Sequence, residues 1–99
     1  LPHRGAYAVM VDVAGKHLKG MVNVGVRPTM HNGHRLSIEV NIFDFDGDIY
    51  GMPIKLEFIK FLRLEFKLGS IEELRAQLTR DRAQSVKILD AYCATRHEA

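Results

Sequence analysis

The 99-residue sequence predicts a mainly β domain: a small antiparallel barrel or curved sheet whose open side is covered by one long carboxy-terminal α-helix. Three observations carry this. Apolar and polar residues alternate with period two through most of the chain, turn residues interrupt the alternation at short intervals, and the last third changes to helical spacing. Strands followed by a helix, with no alternation of the two, point to antiparallel pairing.

Tyr7, Val9, Val11 and Val13 alternate with Ala8, Met10 and Asp12, the spacing of a half-buried strand. Gly15 and Lys16 supply a turn. Leu18, Gly20, Val22, Val24 and Val26 resume the period, so the first two strands read as an antiparallel hairpin. Arg27-Pro28-Thr29 ends the second strand, because proline has no N–H for the ladder, and residues 31–35, HNGHR, make a polar loop. The third strand is expected over residues 36–45, followed by a hairpin turn at Asp46-Gly47-Asp48. A fourth, more continuously apolar strand covers residues 54–62, with Lys55, Glu57 and Lys60 interspersed, and residues 63–69 read as a loop. Ser70 and Glu73 then form a capping box, in which the serine oxygen and the glutamate carboxylate satisfy orphan amides at a helix start. Ile71, Leu74, Leu78, Leu89 and Tyr92 mark one helical face, broken at Arg82 and Ser85, where Val86 takes over the contact.

Length and composition set the outer bounds. Residues 1–99 make one domain, able to bury roughly 60 to 65% of its unfolded surface. A formal charge of +2 falls short of the balance of a dedicated nucleic-acid binder, so no nucleic-acid partner is expected. The single cysteine, Cys93, cannot form an internal disulfide and lies in the helical pattern as a structural residue. With no signal peptide and no apolar run of membrane-spanning length, no membrane partner is expected and a cytoplasmic setting is favoured.

Chemistry concentrates in LSIEVNIFDFDGDIYG, residues 36–51. Period two puts Leu36, Ile38, Val40 and Ile42 on one face and Ser37, Glu39, Asn41 and Phe43 on the other. Glu39 is a carboxylate inside an otherwise apolar strand, where an ionised group costs free energy unless something pairs with it. It reads either as a solvent-facing acid on the outside of the sheet or as a general base held rigidly by its strand. The DFDGD turn is not a calcium loop: counted from Asp44, the sixth position is Asp rather than Gly and the twelfth is Lys55 rather than Glu. His31 and His34 lack the further ligands of a zinc site. Phosphate-loop, protein-kinase, hydrolase-triad and dinucleotide signatures are absent.

The ordered blocks GAYAVMV, MVNVGVRPT, IEVNIFDFDGDIYG and LEFIKFLRLEFKLGSIEEL resemble the riboflavin kinase module of the bacterial bifunctional riboflavin kinase/FAD synthetase family. The resemblance covers residues 5–81. It implies a six-stranded Greek-key barrel with a carboxy-terminal helix, incomplete here, and transfer of the ATP γ-phosphate to the 5′-hydroxyl of riboflavin to give FMN and ADP. By resemblance Glu39 is the catalytic base, Ile42, Asp44 and Tyr50 line the ATP side, and Leu56, Arg63, Phe66 and Leu68 lie on the flavin side. The family's flavin loop runs arginine, proline, glutamate, two residues, then an aromatic. Here it reads Arg63-Leu64-Glu65-Phe66-Lys67-Leu68, which implies a less rigid loop with one ring fewer, for which Phe66 can substitute. Asn41 stands where many members have histidine; it keeps hydrogen bonding but not proton exchange near neutral pH.

In the family a Pro-Thr-Ala-Asn segment holds magnesium and the ATP phosphates. The 99 residues do not contain it, and Pro28-Thr29 belongs to a different block. The expectation is therefore a carboxy-terminal fragment of a larger enzyme, without metal ligands of its own and with negligible activity in isolation, positioning and charge stabilisation being most of phosphoryl-transfer catalysis. The implied cofactor is Mg2+ with ATP. The implied partners are ATP/ADP, riboflavin/FMN, an N-terminal nucleotidyltransferase domain, and a second copy through an open barrel edge. The alternatives are a non-catalytic flavin- or nucleotide-binding barrel, and a single-stranded nucleic-acid-binding barrel using Lys55, Lys60, Arg63 and Lys67 beside Phe58, Phe61 and Phe66.

Overall fold

A computed structural model describes residues 3–65 and 69–97. Its elements are β1 (Gly5–Val13), β2 (Lys16–Pro28), β3 (His34–Ile42), β4 (Ile54–Leu64) and α1 (Ile71–His97). The four strands form one antiparallel sheet in the order β3-β2-β1-β4. Three hairpin-linked strands with a fourth returning beside the first make a Greek key. Among the described residues β3 and β4 each pair on one side only, so the sheet is an open, incomplete barrel.

β1 and β2 are joined by Ala14 and Gly15, both at positive φ (51° and 76°), the mirror-image turn whose twist suits a two-residue hairpin. The expected turn thus lies one residue earlier. β3 begins two residues before its expected start and ends at Ile42, three before its expected end. Phe43 shares the face of Glu39 and Asn41. It is buried against Ala8, Met21 and Leu89, its amide donates to the Lys19 carbonyl (2.9 Å), and Asp44 then turns the chain at φ 53°. Asp46-Gly47-Asp48 is consequently not a hairpin turn. It belongs to a connection that crosses from one sheet edge to the other, because β4 pairs with β1 and not with β3.

β4 reaches Leu64, so Arg63 and Leu64 are strand rather than loop. Two register shifts against β1, between Ala6 and Tyr7 and between Ala8 and Val9, explain its near-continuous apolarity. They let Leu56, Phe58 and Phe61 face one side while Ile59 and Leu62 face the other. The sheet accordingly has two apolar faces. The inner one holds Tyr7, Val9, Val11, Val13, Val22 and Val24, with Leu18, Val40, Ile42, Ile49 and Leu56 against them. Tyr7 sits edge-on to Phe58 (5.0 Å between ring centres) and tilted to Phe61 (5.1 Å). The outer face holds Ala8, Met21, Phe43 and Leu89, flanked by Met10, Ile59, Leu62, Val86 and Ile88, and this is the face the helix covers.

The helix starts as expected. Ser70 Oγ accepts from the Glu73 amide (3.1 Å), while the Glu73 carboxylate reaches back to the Gly69 amide (2.8 Å). Its buried stripe, however, is Asp81, Ser85 and Leu89. Ser85 does not break the apolar face but sits at its centre, fully buried, whereas Ile71, Leu74 and Leu78 on the same stripe are exposed. Asp81 occupies a helix position that would otherwise be apolar because Arg63 of β4 is there to meet it. Arg63 Nε donates to both carboxylate oxygens (3.0 and 3.1 Å) and Nη2 to Oδ2 (2.7 Å), while Gln77 Nε2 donates to Oδ1 (2.8 Å). Toward the other end, Lys19 pairs with Asp90, and the Glu57 carboxylate accepts from the Tyr92 hydroxyl (2.8 Å), which itself accepts from Arg96 (2.8 Å). The bond to Asp90 raises the Lys19 ammonium above its ordinary value, so this contribution is complete at neutral pH and is lost only as pH rises past the lysine range.

Two stability predictions follow from the helix stripe. Asp81→Ala leaves the Arg63 guanidinium without its buried carboxylate and should cost roughly 3 kcal/mol, the low end for a broken buried pair because Arg63 keeps some solvent contact; a urea-midpoint change worth under about 1 kcal/mol would show the pair to be dispensable. Ser85 Oγ is buried with no hydrogen-bond partner among the described residues, so Ser85→Ala should leave stability unchanged or raise it by up to about 1 kcal/mol. A clear loss in the same titration would contradict that.

Candidate functional site

A cleft of ≈ 530 Å³ lies where β3, with residues of both its faces, meets the connection that follows it. β3 contributes Glu39, Val40, Asn41 and Ile42, β2 contributes Met21 and Asn23, the connection contributes Phe45, Gly47 and Ile49, and Leu78 of the helix forms the opposite wall. Register explains this composition. Asn23 lies opposite Glu39 and Met21 opposite Asn41, so β2 and β3 present a polar pair and a mixed pair on one surface. Leu78 is exposed because it borders this opening rather than the sheet.

Glu39 is an exposed acid on an edge strand, its side chain 60% accessible, and it is not unpartnered. Its Oε1 accepts from Arg27 Nη2 at 2.7 Å. The same guanidinium donates through Nη1 to Glu65 Oε1 (3.0 Å) and to the carbonyl of Val26 (3.1 Å). Glu65, and then Glu39, hold Arg27 above the ordinary arginine value by these bonds. An apolar strand tolerates Glu39 because the side chain faces water on one side and a cation on the other.

The residues assigned by resemblance fall in different places. Glu39 and Ile42 line the one cleft. Asp44 stands just beyond Ile42 and accepts from Arg82 Nη2 (2.7 Å), whose guanidinium also lies 4.8 Å from the centre of the Phe43 ring. Tyr50 is 96% exposed on the connection, its amide donating to Asp48 Oδ1 (2.9 Å). Leu56 packs on the inner face, across the sheet from Glu39. Arg63 is engaged with Asp81 on the helix side, and Phe66 and Leu68 lie outside the described residues.

Sequence reasoning passed over Arg27, Glu65 and Arg82 as functional neighbours. Arg27 was legible in principle. With Val22 and Val24 turned inward, period two puts Asn23, Gly25 and Arg27 on the outer face with Glu39. Glu65 and Arg82 each meet their partners across 38 residues, and no local pattern reports such a contact. Among the described residues no group of three or more His, Cys, Asp or Glu is placed to hold a metal ion. No described helix is long and apolar enough to cross a membrane.

The riboflavin kinase (flavokinase) family model matches residues 1–89. The bifunctional riboflavin kinase/FMN adenylyltransferase of Bacillus subtilis is 38% identical over 89 residues, covering 88% of this chain and 28% of its own length. That of Escherichia coli is 42% identical over 81 residues, covering 81% of this chain and 26% of its own length. The chain thus spans about a quarter of the length of these curated relatives. Among solved structures, a protein described as a macrolide-efflux protein from Streptococcus pneumoniae superposes with a TM-score of 0.78 at 33% identity, covering 86% of this chain and 28% of that one.

Proposed function

Because the chain belongs to the riboflavin kinase family, we propose that it is the kinase module of a bifunctional enzyme and transfers the γ-phosphoryl group of ATP to the 5′-hydroxyl of riboflavin, giving FMN and ADP. A neutral primary alcohol is a poor nucleophile. As its oxygen bonds to the γ-phosphorus and the bond to the ADP oxygen breaks, the hydroxyl proton passes to a carboxylate within hydrogen-bond reach. Glu39 is that carboxylate in this reading. The observation that carries it is the position of Glu39: an acid fixed on a strand, lining the cleft beside Ile42, with one oxygen held by Arg27 and the other left to accept a proton.

Ile42, Asp44 and Tyr50, at and beyond the end of β3, are proposed as the nucleotide side, and Leu56, Arg63, Phe66 and Leu68 as the flavin side. For Arg63 the role is shared with the helix, since Asp81 already takes three of its hydrogen bonds. Magnesium enters with ATP as part of the substrate. No group of three or more His, Cys, Asp or Glu among the described residues is placed to hold the ion. An N-terminal nucleotidyltransferase domain is the proposed covalent partner, and the cytoplasm, where ATP and riboflavin meet, is the proposed setting.

Two measurements test this reading. In the bifunctional protein carrying this stretch, Glu39→Gln should lower FMN formation about 10²- to 10⁴-fold while riboflavin affinity, followed by flavin fluorescence quenching, stays within a few-fold. Retained turnover would remove Glu39 as base, and absence of turnover in the unsubstituted protein with intact quenching would make it a flavin binder. The 99-residue chain alone, lacking a Pro-Thr-Ala-Asn segment, should form FMN from magnesium-ATP at a negligible rate. A rate matching the longer protein would overturn that expectation.

A further inference from the structure

We propose that Arg27 is the positioning residue for Glu39, and that position 25 is glycine so that Glu65 can lock Arg27 in place. The inference rests on Glu39 being the base, and it adds three residues to the machinery that the motif blocks do not assign.

The geometry begins with where β1 starts. Gly5 is its first residue and pairs with Val24 on one side and Leu64 on the other. One residue beyond the end of β4, Glu65 has also passed the start of β1; its amide donates to the Arg4 carbonyl (3.3 Å) and its side chain reaches across to β2. There the carboxylate occupies the space a side chain at position 25 would need. An ideal Cβ built on Gly25 would lie 2.3 Å from Glu65 Oε1 and 2.6 Å from Arg27 Nη1, far inside contact distance. Gly25 is not among the positive-φ glycines, so its backbone conformation does not by itself call for glycine. Both close atoms are the ends of flexible side chains, so a Cβ here would push the Glu65–Arg27 pair aside rather than break the strand.

The guanidinium then spans two acids. One end is fixed by Glu65 and the Val26 carbonyl, and the other holds a single oxygen of Glu39 at 2.7 Å. A planar fork does this with separate donors fixed in direction at each end, whereas the three donors of an ammonium radiate from one atom and aim neither acid. Arg35 lies opposite Arg27 in register, and the two carboxylates offset that like-charge pairing. A cation held by Glu39 alone would neutralise the base. Shared between two carboxylates, it leaves the trio negative while fixing where Glu39 points.

The test compares kcat and the riboflavin KM in the bifunctional protein carrying this stretch. Arg27→Gln should lower kcat roughly 10- to 100-fold, the usual consequence of a misaimed catalytic group, with KM changed less than about threefold. Arg27→Lys should recover only part of the loss. Gly25→Ala and Glu65→Gln should each lower kcat in the same way, and the double variant should be no worse than the more damaging single one, because both act by releasing Arg27. Glu39→Gln separates the two readings. If it leaves turnover intact, the base assignment falls. If it abolishes turnover while Arg27→Gln leaves kcat unchanged, the base assignment stands and the positioning role is wrong. Should Arg27→Gln fail to fold, Glu65→Gln decides: an unchanged kcat overturns the proposal, and a loss confined to kcat supports it.

Discussion

The bond on which the rest of this structure depends is the one between Arg63 and Asp81. Asp81 is 2% exposed, and a carboxylate so placed is tolerated only if its oxygens are fully engaged. Arg63 and Gln77 supply four hydrogen bonds to them. This fixes the rotation of the helix on the sheet, because turning Asp81 toward β4 brings Ser85 and Leu89 onto the outer face and leaves Leu78 at the mouth of the cleft. The ion pair therefore sets one wall of the candidate site from a distance. It also means that Arg63 is committed to the helix, so its substitution would perturb the fold as well as the flavin contact proposed for it.

The remaining ties between helix and sheet are of a different kind. Lys19–Asp90, Arg82–Asp44 and Arg96–Glu57 lie in water-accessible positions, where such pairs contribute little each and weaken with salt. They orient, while Leu89, Met21, Phe43 and Ala8 supply the apolar contact. The Arg27 trio is exposed to a similar degree, so its significance lies in direction rather than stability. It aims a carboxylate at a cleft.

Much of this was legible in the sequence where the signal was local. Period two located four strands, Ser70 and Glu73 located the helix start, and Glu39 stood out as an acid among apolar neighbours. Strand order was a different matter. Asp46-Gly47-Asp48 has hairpin composition, and only the pairing of β4 with β1 shows that the chain there crosses the sheet instead. Likewise Asp81 and Ser85 read as interruptions of an apolar stripe, because a polar residue can be buried only when a partner or a tight fit exists, and that partner sits in another element. At the candidate site the same division holds. Glu39 and its strand were readable, whereas Arg27, Gly25 and Glu65 acquire their meaning from an approach of β4 to β2 that depends on where β1 starts.

The two register shifts in β4 have one more consequence. A strand that pairs on one side only offers its free amides and carbonyls to any other chain, and intermolecular zippering requires that edge to be regular. β4 is irregular at two places along its length, and Lys55 and Lys60 project from it, so a second strand meets both a broken ladder and positive charge. β3 has no such interruption over its nine residues. Among the described residues the bulges thus leave the unbroken free ladder on the strand that carries Glu39, so the backbone proposed to hold the base is also the one that a second chain would extend most readily.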